Sequence, residues 1–325
     1  MRNIFLIGGA GYVGSRLVPI LLNDGYKVSV YDLFIYGDTI DDHPNLKKIK
    51  GDMRDLNKVK KSILGSDTVI HLACISNDPS FDLNPELGKS INFDPFEELV
   101  NISKNEGIKN FIYASSSSVY GIKEEKDVDE NFSLKPLTDY SKFKAMCEDI
   151  LIKNNSSEFV ATIIRPATVC GYSKRQRFDV VVNILTNLAY NKGEITVFGG
   201  DQLRPNINIL DMCGAYLHVL NSKNELISGE IFNVGYDNLS VNEIANLVKD
   251  NVGKEVVIKN LPTDDNRSYH ISSEKIKNKL GFINKYNIKD AILELKNAFE
   301  KNLFENSLDN EYYFNIKRMK SIELK

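Results

Sequence analysis

A short apolar run, Asn3–Gly8, ends in glycines and leads directly into an amphipathic stretch, Gly11–Asn23. Glycines at 8, 11 and 14 permit a tight turn from strand to helix. They also let backbone N–H groups approach a ligand, and let helix pack close on strand. The same alternation continues along the chain. Lys27–Asp32, Thr68–Cys74, Asn110–Ser115 and Phe159–Arg165 are short apolar runs that read as buried parallel strands, and Leu46–Lys50 reads as a further strand. Asp55–Leu64, Pro95–Asn105 and Asp139–Lys153 carry helical periodicity between them. This alternation predicts an α/β chain built on a doubly wound parallel sheet. Pro19 conflicts locally with its helix, where it removes a hydrogen bond.

The second half is less regular. Phe178–Asn191, Asp211–Asn221, Val241–Asn251 and Lys289–Lys301 read as helices, and Glu194–Phe198, Glu230–Val234 and Glu255–Lys259 as strands. The expected division is a Rossmann domain over 1–168, with segments near 206–236 returning to its sheet. A smaller α/β substrate domain covers 169–304. Residues 305–325 turn polar around a Tyr312-Tyr313-Phe314 cluster and read as a surface extension.

The 41 Lys and Arg against 44 Asp and Glu form no basic stripe, which argues against a nucleic-acid partner. No apolar run reaches membrane-spanning length, and Asn3–Ile7 runs into glycines with no leader-cleavage pattern. Four widely spaced cysteines (Cys74, Cys147, Cys170, Cys213) fit reduced thiols, so a cytoplasmic protein is expected. His43, His71, His218 and His270 lack ligand spacing, so no metal is assigned.

The glycine turn is informative because an acid ends the next strand. In Gly8-Gly9-Ala10-Gly11-Tyr12-Val13-Gly14, free N–H groups at a helix start suit a pyrophosphate. Asp32 is placed to accept from both ribose hydroxyls, and it would repel a 2′-phosphate. Leu33-Phe34-Ile35-Tyr36 adds no basic residue, so NAD is expected over NADP. Asp52, in Gly51-Asp52-Met53-Arg54-Asp55, is a candidate acceptor for the adenine amino group, and Asp55 for a helix cap.

A run of hydroxyls, Ser115-Ser116-Ser117-Ser118, follows the strand Asn110–Ser115, where α/β sheets bind ligands. About twenty residues later, Tyr140 and Lys144 stand one helical turn apart on one face. An ammonium beside a phenol favours the phenolate, which suits an acid/base near neutral pH. The spacing recurs at Tyr313 and Lys317, so only its surroundings single out the first pair.

With these motifs the chain resembles the extended short-chain dehydrogenase/reductase family, in particular its NAD-dependent nucleotide-sugar epimerases and dehydratases. The likeness runs to about residue 300. It rests on Gly-Gly-Ala-Gly-Tyr-Val-Gly-Ser (8–15), Gly-Asp-Met-Arg-Asp (51–55) and His-Leu-Ala-Cys (71–74). Further matches are Ser-Ser-Ser-Ser-Val-Tyr-Gly (115–121), Tyr-Ser-Lys-Phe-Lys (140–144) and Arg-Pro-Ala-Thr-Val-Cys-Gly (165–171).

The resemblance implies Tyr140 as acid/base, with Lys144 holding the nicotinamide ribose and lowering the phenol pKa. It makes Ser116 the hydroxyl partner on the same sugar oxygen. It implies a cofactor lined by Gly8, Gly11, Tyr12, Val13, Asp32, Asp52, Met53, Leu72 and Ala73. Family dehydratases carry an acid after the catalytic hydroxyl, whereas this chain has Ser117 and Ser118. Redox chemistry at C4 without an extra acid therefore remains, and epimerisation at C2 by the same ketone logic stays open. The expected activity is 4-epimerisation through a transient keto-sugar; net dehydrogenation or 4-ketoreduction stays open, and a non-catalytic NAD-binding regulator is a minor alternative.

For the nucleotide-diphosphate sugar, the resemblance points to Arg204 and Arg267 at the phosphates. Thr168 stands at a substrate-binding Asn position, and Arg204-Pro205 replaces the common Arg-Asp. Ser117, Ser118, Arg177, Asn183 and Phe198 complete the expected substrate contacts. Family members dimerise through a four-helix bundle, here Pro95–Asn105 and Asp139–Lys153 from each copy.

Overall fold

The computed structural model describes residues 2–125, 127–263, 268 and 270–325. Its first layer begins with β1 (Asn3–Ile7), α1 (Gly14–Asn23), β2 (Lys27–Asp32), β3 (Leu46–Lys50), α2 (Leu56–Ile63) and β4 (Thr68–His71). Two short helices follow, α3 (Asp78–Phe81) and α4 (Pro85–Asn92), capped by the Asn77 and Asn84 side chains. Then come α5 (Phe96–Asn105), β5 (Asn110–Ala114), α6 (Asp139–Lys153) and β6 (Val160–Pro166). The remaining strands are β7 (Thr168–Cys170), β8 (Glu194–Phe198), β9 (Leu203–Asn208), β10 (Glu230–Val234), β11 (Asp237–Ser240) and β12 (Val257–Leu261). The remaining helices are α7 (Val181–Lys192), α8 (Ile209–Asn221), α9 (Asn224–Ile227), α10 (Val241–Val252), α11 (Glu274–Leu280), α12 (Ile288–Glu300) and α13 (Asn315–Ser321).

Seven parallel strands form one sheet in the order β10-β6-β5-β4-β1-β2-β3, the doubly wound arrangement expected from the alternation. Both faces are covered. Ile4 and Leu6 enter one core with Val28 and Val30, while Phe5 and Ile7 enter the other with Val69 and Phe111. Burial on both faces explains why these strands read as continuous apolar runs rather than alternating ones. Each such side chain contributes about 1.5–3 kcal/mol by leaving water. Pro19 lies on the exposed side of α1, where its lost hydrogen bond costs least.

Residues 209–234 return to this layer: α8 packs on α1 and β10 pairs with β6. A separate core gathers Val182, Leu185, Ile195, Val197, Ile244, Val248 and Ile292 from α7, β8, α10 and α12. A three-stranded sheet, β11-β9-β7, links the two. Pro205 sits within β9, yet β7 pairs with β9 only from Asn206 onward, so the missing N–H interrupts no bond on that side. Among the described residues no helix is long and apolar enough to cross a membrane.

Residues 305–325 depart from the expected surface extension. Met319 is buried in the core that holds Phe5 and Ile7, and Tyr313 and Phe314 pack around Phe178 and Phe299. Polar residues dominate the segment, but a few well-spaced apolar ones anchor it.

Candidate active site

The carboxyl ends of β1, β2, β4 and β5 surround a cavity of about 450 Å³. At its floor, Gly8 has φ +83°, and a Cβ there would lie 2.4 Å from the Ala73 amide nitrogen. The absence of a side chain lets the turn after β4 close down, so that Leu72 and Ala73 both donate to the Ile7 carbonyl at 2.8 and 3.0 Å. Gly14 is as constrained: a Cβ would lie 2.5 Å from the Gly9 carbonyl oxygen. Gly11, Tyr12 and Val13 complete this wall.

Asp32 ends β2 at the cavity. One carboxylate oxygen accepts from Ala10 N–H at 3.0 Å and the other from Phe34 N–H at 2.8 Å. Burial pushes its carboxyl above the usual range, against those N–H groups and the charge of Arg175. Asp52 follows β3 by two residues and is forked by Arg54, with Nε at 3.0 Å and Nη2 at 2.6 Å. Burial raises its carboxyl, but Arg54 outweighs this and holds it below the usual range. Asp55 caps α2 through Lys58 N–H at 3.0 Å. Met53 lines the wall between them. The close-packed glycine cradle and the two acids at adjacent strand ends fit the adenosine and pyrophosphate parts of a dinucleotide.

At the other end, Ser116 caps a 3-10 turn over Ser117–Tyr120; its Oγ accepts from Ser118 N–H at 3.1 Å and lies 2.9 Å from Ser118 Oγ. The start of α6 is fixed by a capping box between Thr138 and Ser141, and Thr138 donates to Asp78 at 2.7 Å. Tyr140 and Lys144 therefore reach the wall beside Ser116, Ser117 and Ser118, and Phe81 packs against the Tyr140 ring.

The phenol departs from its expected direction. Burial pushes Tyr140 well above its ordinary pKa, reinforced by Cys74 and Asp78; Arg177 and a hydrogen bond with Ser116 act oppositely. Lys144 Nζ donates to the Ala114 carbonyl at 2.6 Å and stands 5.9 Å from the Tyr140 ring centre. Desolvation sets the direction of the shift, over the opposing Arg177 charge and Ser116 hydrogen bond.

Beneath the serines lies a buried network. Arg165 meets Glu148 through Nε at 3.0 Å and Nη2 at 2.6 Å, with both side chains 3% exposed. Ser115 donates to Glu148, Arg165 Nη1 to Tyr120 at 2.7 Å, and Tyr120 to Asn233 at 2.7 Å. Tyr140, Lys144 and Glu148 thus form one face of α6, with support at its far end.

Thr168, Arg177 and Arg204 also reach the cavity wall. Arg177 pairs with Asp179 at 2.7 Å and with Ser76 at 3.1 Å; its Nη2 is buried without a hydrogen-bond partner. Asn183 does not reach the wall. It is fully buried, receiving Gly171 N–H at 2.9 Å and donating to Tyr12 at 3.0 Å and Arg177 at 2.9 Å, so its amide is spent on the turn. Phe198 lies at the end of β8, 56% exposed and away from the cavity. Arg267 lies outside the described residues.

Ile75, Ser76, Asn77, Asp78, Tyr36, Asn315 and Leu324 line the cavity without having been marked by sequence. The Asn and Asp residues before α3 and α4 are helix-cap signals that could have located the first group.

Residues 4–235 match the model of the NAD dependent epimerase/dehydratase family. A UDP-glucose 4-epimerase from Lactobacillus helveticus is 27% identical over 75% of this chain and 81% of its own length. Another UDP-glucose 4-epimerase, from Corynebacterium glutamicum, is 26% identical over 94% and 97%. The crystal structure of UDP-glucose 4-epimerase with UDP-glucose from Thermotoga maritima superposes with a TM-score of 0.83 at 26% identity, covering 93% of this chain and 100% of that one.

Proposed function

The chain belongs to the NAD dependent epimerase/dehydratase family and is an NAD-dependent enzyme, and from that premise we propose that it epimerises a nucleotide-diphosphate sugar at C4. The observation that carries this reading is that Tyr140, Lys144 and Ser116 line one cavity wall, next to positions 117 and 118 that offer only hydroxyls. The names of the relatives, UDP-glucose 4-epimerases, support it.

In this reading Gly8, Gly11, Tyr12, Val13, Asp32, Asp52, Met53, Leu72 and Ala73 hold NAD, which supplies a hydride acceptor when bound. Tyr140 Oη takes the proton of the sugar hydroxyl and later returns it. Ser116 Oγ holds the same oxygen throughout. The Lys144 and Arg177 cations oppose the burial that keeps the phenol protonated. Arg204 and Arg177 recruit anionic groups of the substrate, and the unpartnered Nη2 of Arg177 supports that role. Thr168, Ser117 and Ser118 orient the sugar.

Incubation of the protein with UDP-, dTDP-, GDP- and CDP-sugars, read by NMR of the products, tests the proposal. Interconversion of two C4 epimers without net change at 340 nm is expected. Accumulation of NADH or of a stable keto-sugar would instead assign net oxidation, and a dehydrated product would reject both.

We also propose a homodimer through α5 and α6. The outward side of α6 shows Met146, 44% exposed, among Lys142, Asp149 and Lys153, while α5 presents Glu97 and Glu98. Opposite charges on the two helices complement each other in a two-fold pairing. Light scattering at micromolar concentration is expected to give twice the chain mass; a monomer rejects the pairing.

A further inference from the structure

Residues 305–325 touch the loops after β2, β3 and β4 at the adenosine end of the cavity. Arg318 Nε donates to the Ile35 carbonyl at 2.5 Å, after β2. The Lys325 carbonyl accepts from Arg54 Nη2 at 2.7 Å, and Arg54 is the residue that forks Asp52 after β3. Asn315 Nδ2 donates to Ser76 Oγ at 3.0 Å, after β4. Its Oδ1 accepts from Arg175 at 2.6 Å, and its N–H donates to Asp179 at 2.9 Å. Arg175 in turn lies over Tyr36 at 3.6 Å. Phe178 N–H donates to the Tyr313 carbonyl at 2.9 Å, which fixes the segment at its near end. Asn315 and Leu324 themselves form part of the cavity wall.

The parallel strands of this sheet bring Asp32 and Asp52 to the same end of the cavity, where an adenosine would sit. From this geometry we infer that Asn315 and Leu324 belong to the dinucleotide site, and that residues 305–325 are a strap across its adenosine half. The inference rests on placing NAD in this cavity. Leu324 offers an apolar wall to a base, while Asn315 and Arg318 hold the strap to loops from separate strands. A dinucleotide cannot leave past this side unless those ties open together, so the strap slows cofactor exchange. A slowly exchanging cofactor suits chemistry that returns its hydride in every turnover.

The test uses full-length R318A and L324A variants, each loaded with NADH and chased with excess NAD+. Release at least about tenfold faster than from the unaltered protein is expected, because affinity lost at a rim falls mostly on dissociation. ADP-ribose, which carries the adenosine half, should bind more weakly, and nicotinamide mononucleotide should bind unchanged. Release within about twofold of the unaltered protein in both variants overturns the strap. Should either variant fail to fold, hydrogen exchange on the unaltered protein decides: ADP-ribose must slow the amides of 315–324, and unchanged exchange overturns the inference. An Asp32→Ala variant separates the two readings. If it too leaves ADP-ribose affinity unaltered, the placement of the dinucleotide is wrong; if it weakens binding while the strap variants do not, only the strap is wrong.

Discussion

Tyr140→Phe is expected to lower turnover by about two to four orders of magnitude, the range for losing a positioned acid/base. NAD affinity should change by no more than a few-fold. The substitution removes one oxygen and keeps the ring that packs on Phe81, so α6 and the cavity wall should hold their places. Lys144 keeps its bond to the Ala114 carbonyl, which does not depend on the phenol. Single-turnover assays with the sugar nucleotide, beside NADH fluorescence titration, separate chemistry from binding. A variant that keeps more than about a tenth of the activity would remove Tyr140 from the acid/base role.

Glu148→Leu should destabilise the fold by roughly 3–5 kcal/mol, the cost of leaving a buried charge without its partner. Burial works against the charge of Arg165, yet Glu148 and Tyr120 outweigh it and hold the guanidinium above its ordinary pKa. Without Glu148, that cation remains at 3% exposure. Ser115 also loses its acceptor directly before Ser116. Chemical denaturation should show the loss. Adding Arg165→Met to Glu148→Leu should recover more than half of it, since no buried cation then remains unpaired. A double variant no more stable than the sum of the single losses would mean that shape, rather than charge, sets the cost.

Local spacing made much of this molecule readable. The glycine turn, Asp32 and the Tyr140/Lys144 pair each act within a few residues along one strand end or one helix face, so pattern and geometry coincide. The apolar runs gave the sheet because burial on both faces leaves no alternation to misread. Asn183 and Phe198 show the limit of that approach. Asn183 sits at a plausible spacing after Arg177, but bonds to Gly171, Arg177 and the distant Tyr12 consume its amide inside the protein. Phe198 reads as a nucleotide neighbour, but at the end of β8 it is 56% exposed and does not line the described cavity. The phenol pKa depended on how deeply Tyr140 is buried, which a one-turn spacing does not encode. Residues 305–325 are the largest surprise. Their polarity matched a surface segment, and only the folded sheet brings Ile35, Arg54, Ser76 and Arg175 within their reach.

The pairing of Tyr120 with Asn233 joins residues 113 apart in sequence, and it closes the buried network under the serine run at 115–118 only when β10 docks on β6. Before that docking, β6 is an open sheet edge whose N–H and C=O groups could pair with another chain. Loop-closure entropy makes so distant a strand a late arrival during folding. Once docked, β10 itself becomes the sheet edge, and there the Glu130 carboxylate rather than another strand accepts from Asn233 N–H, so the strand that completes the network below the serine run also carries a charge that discourages edge pairing.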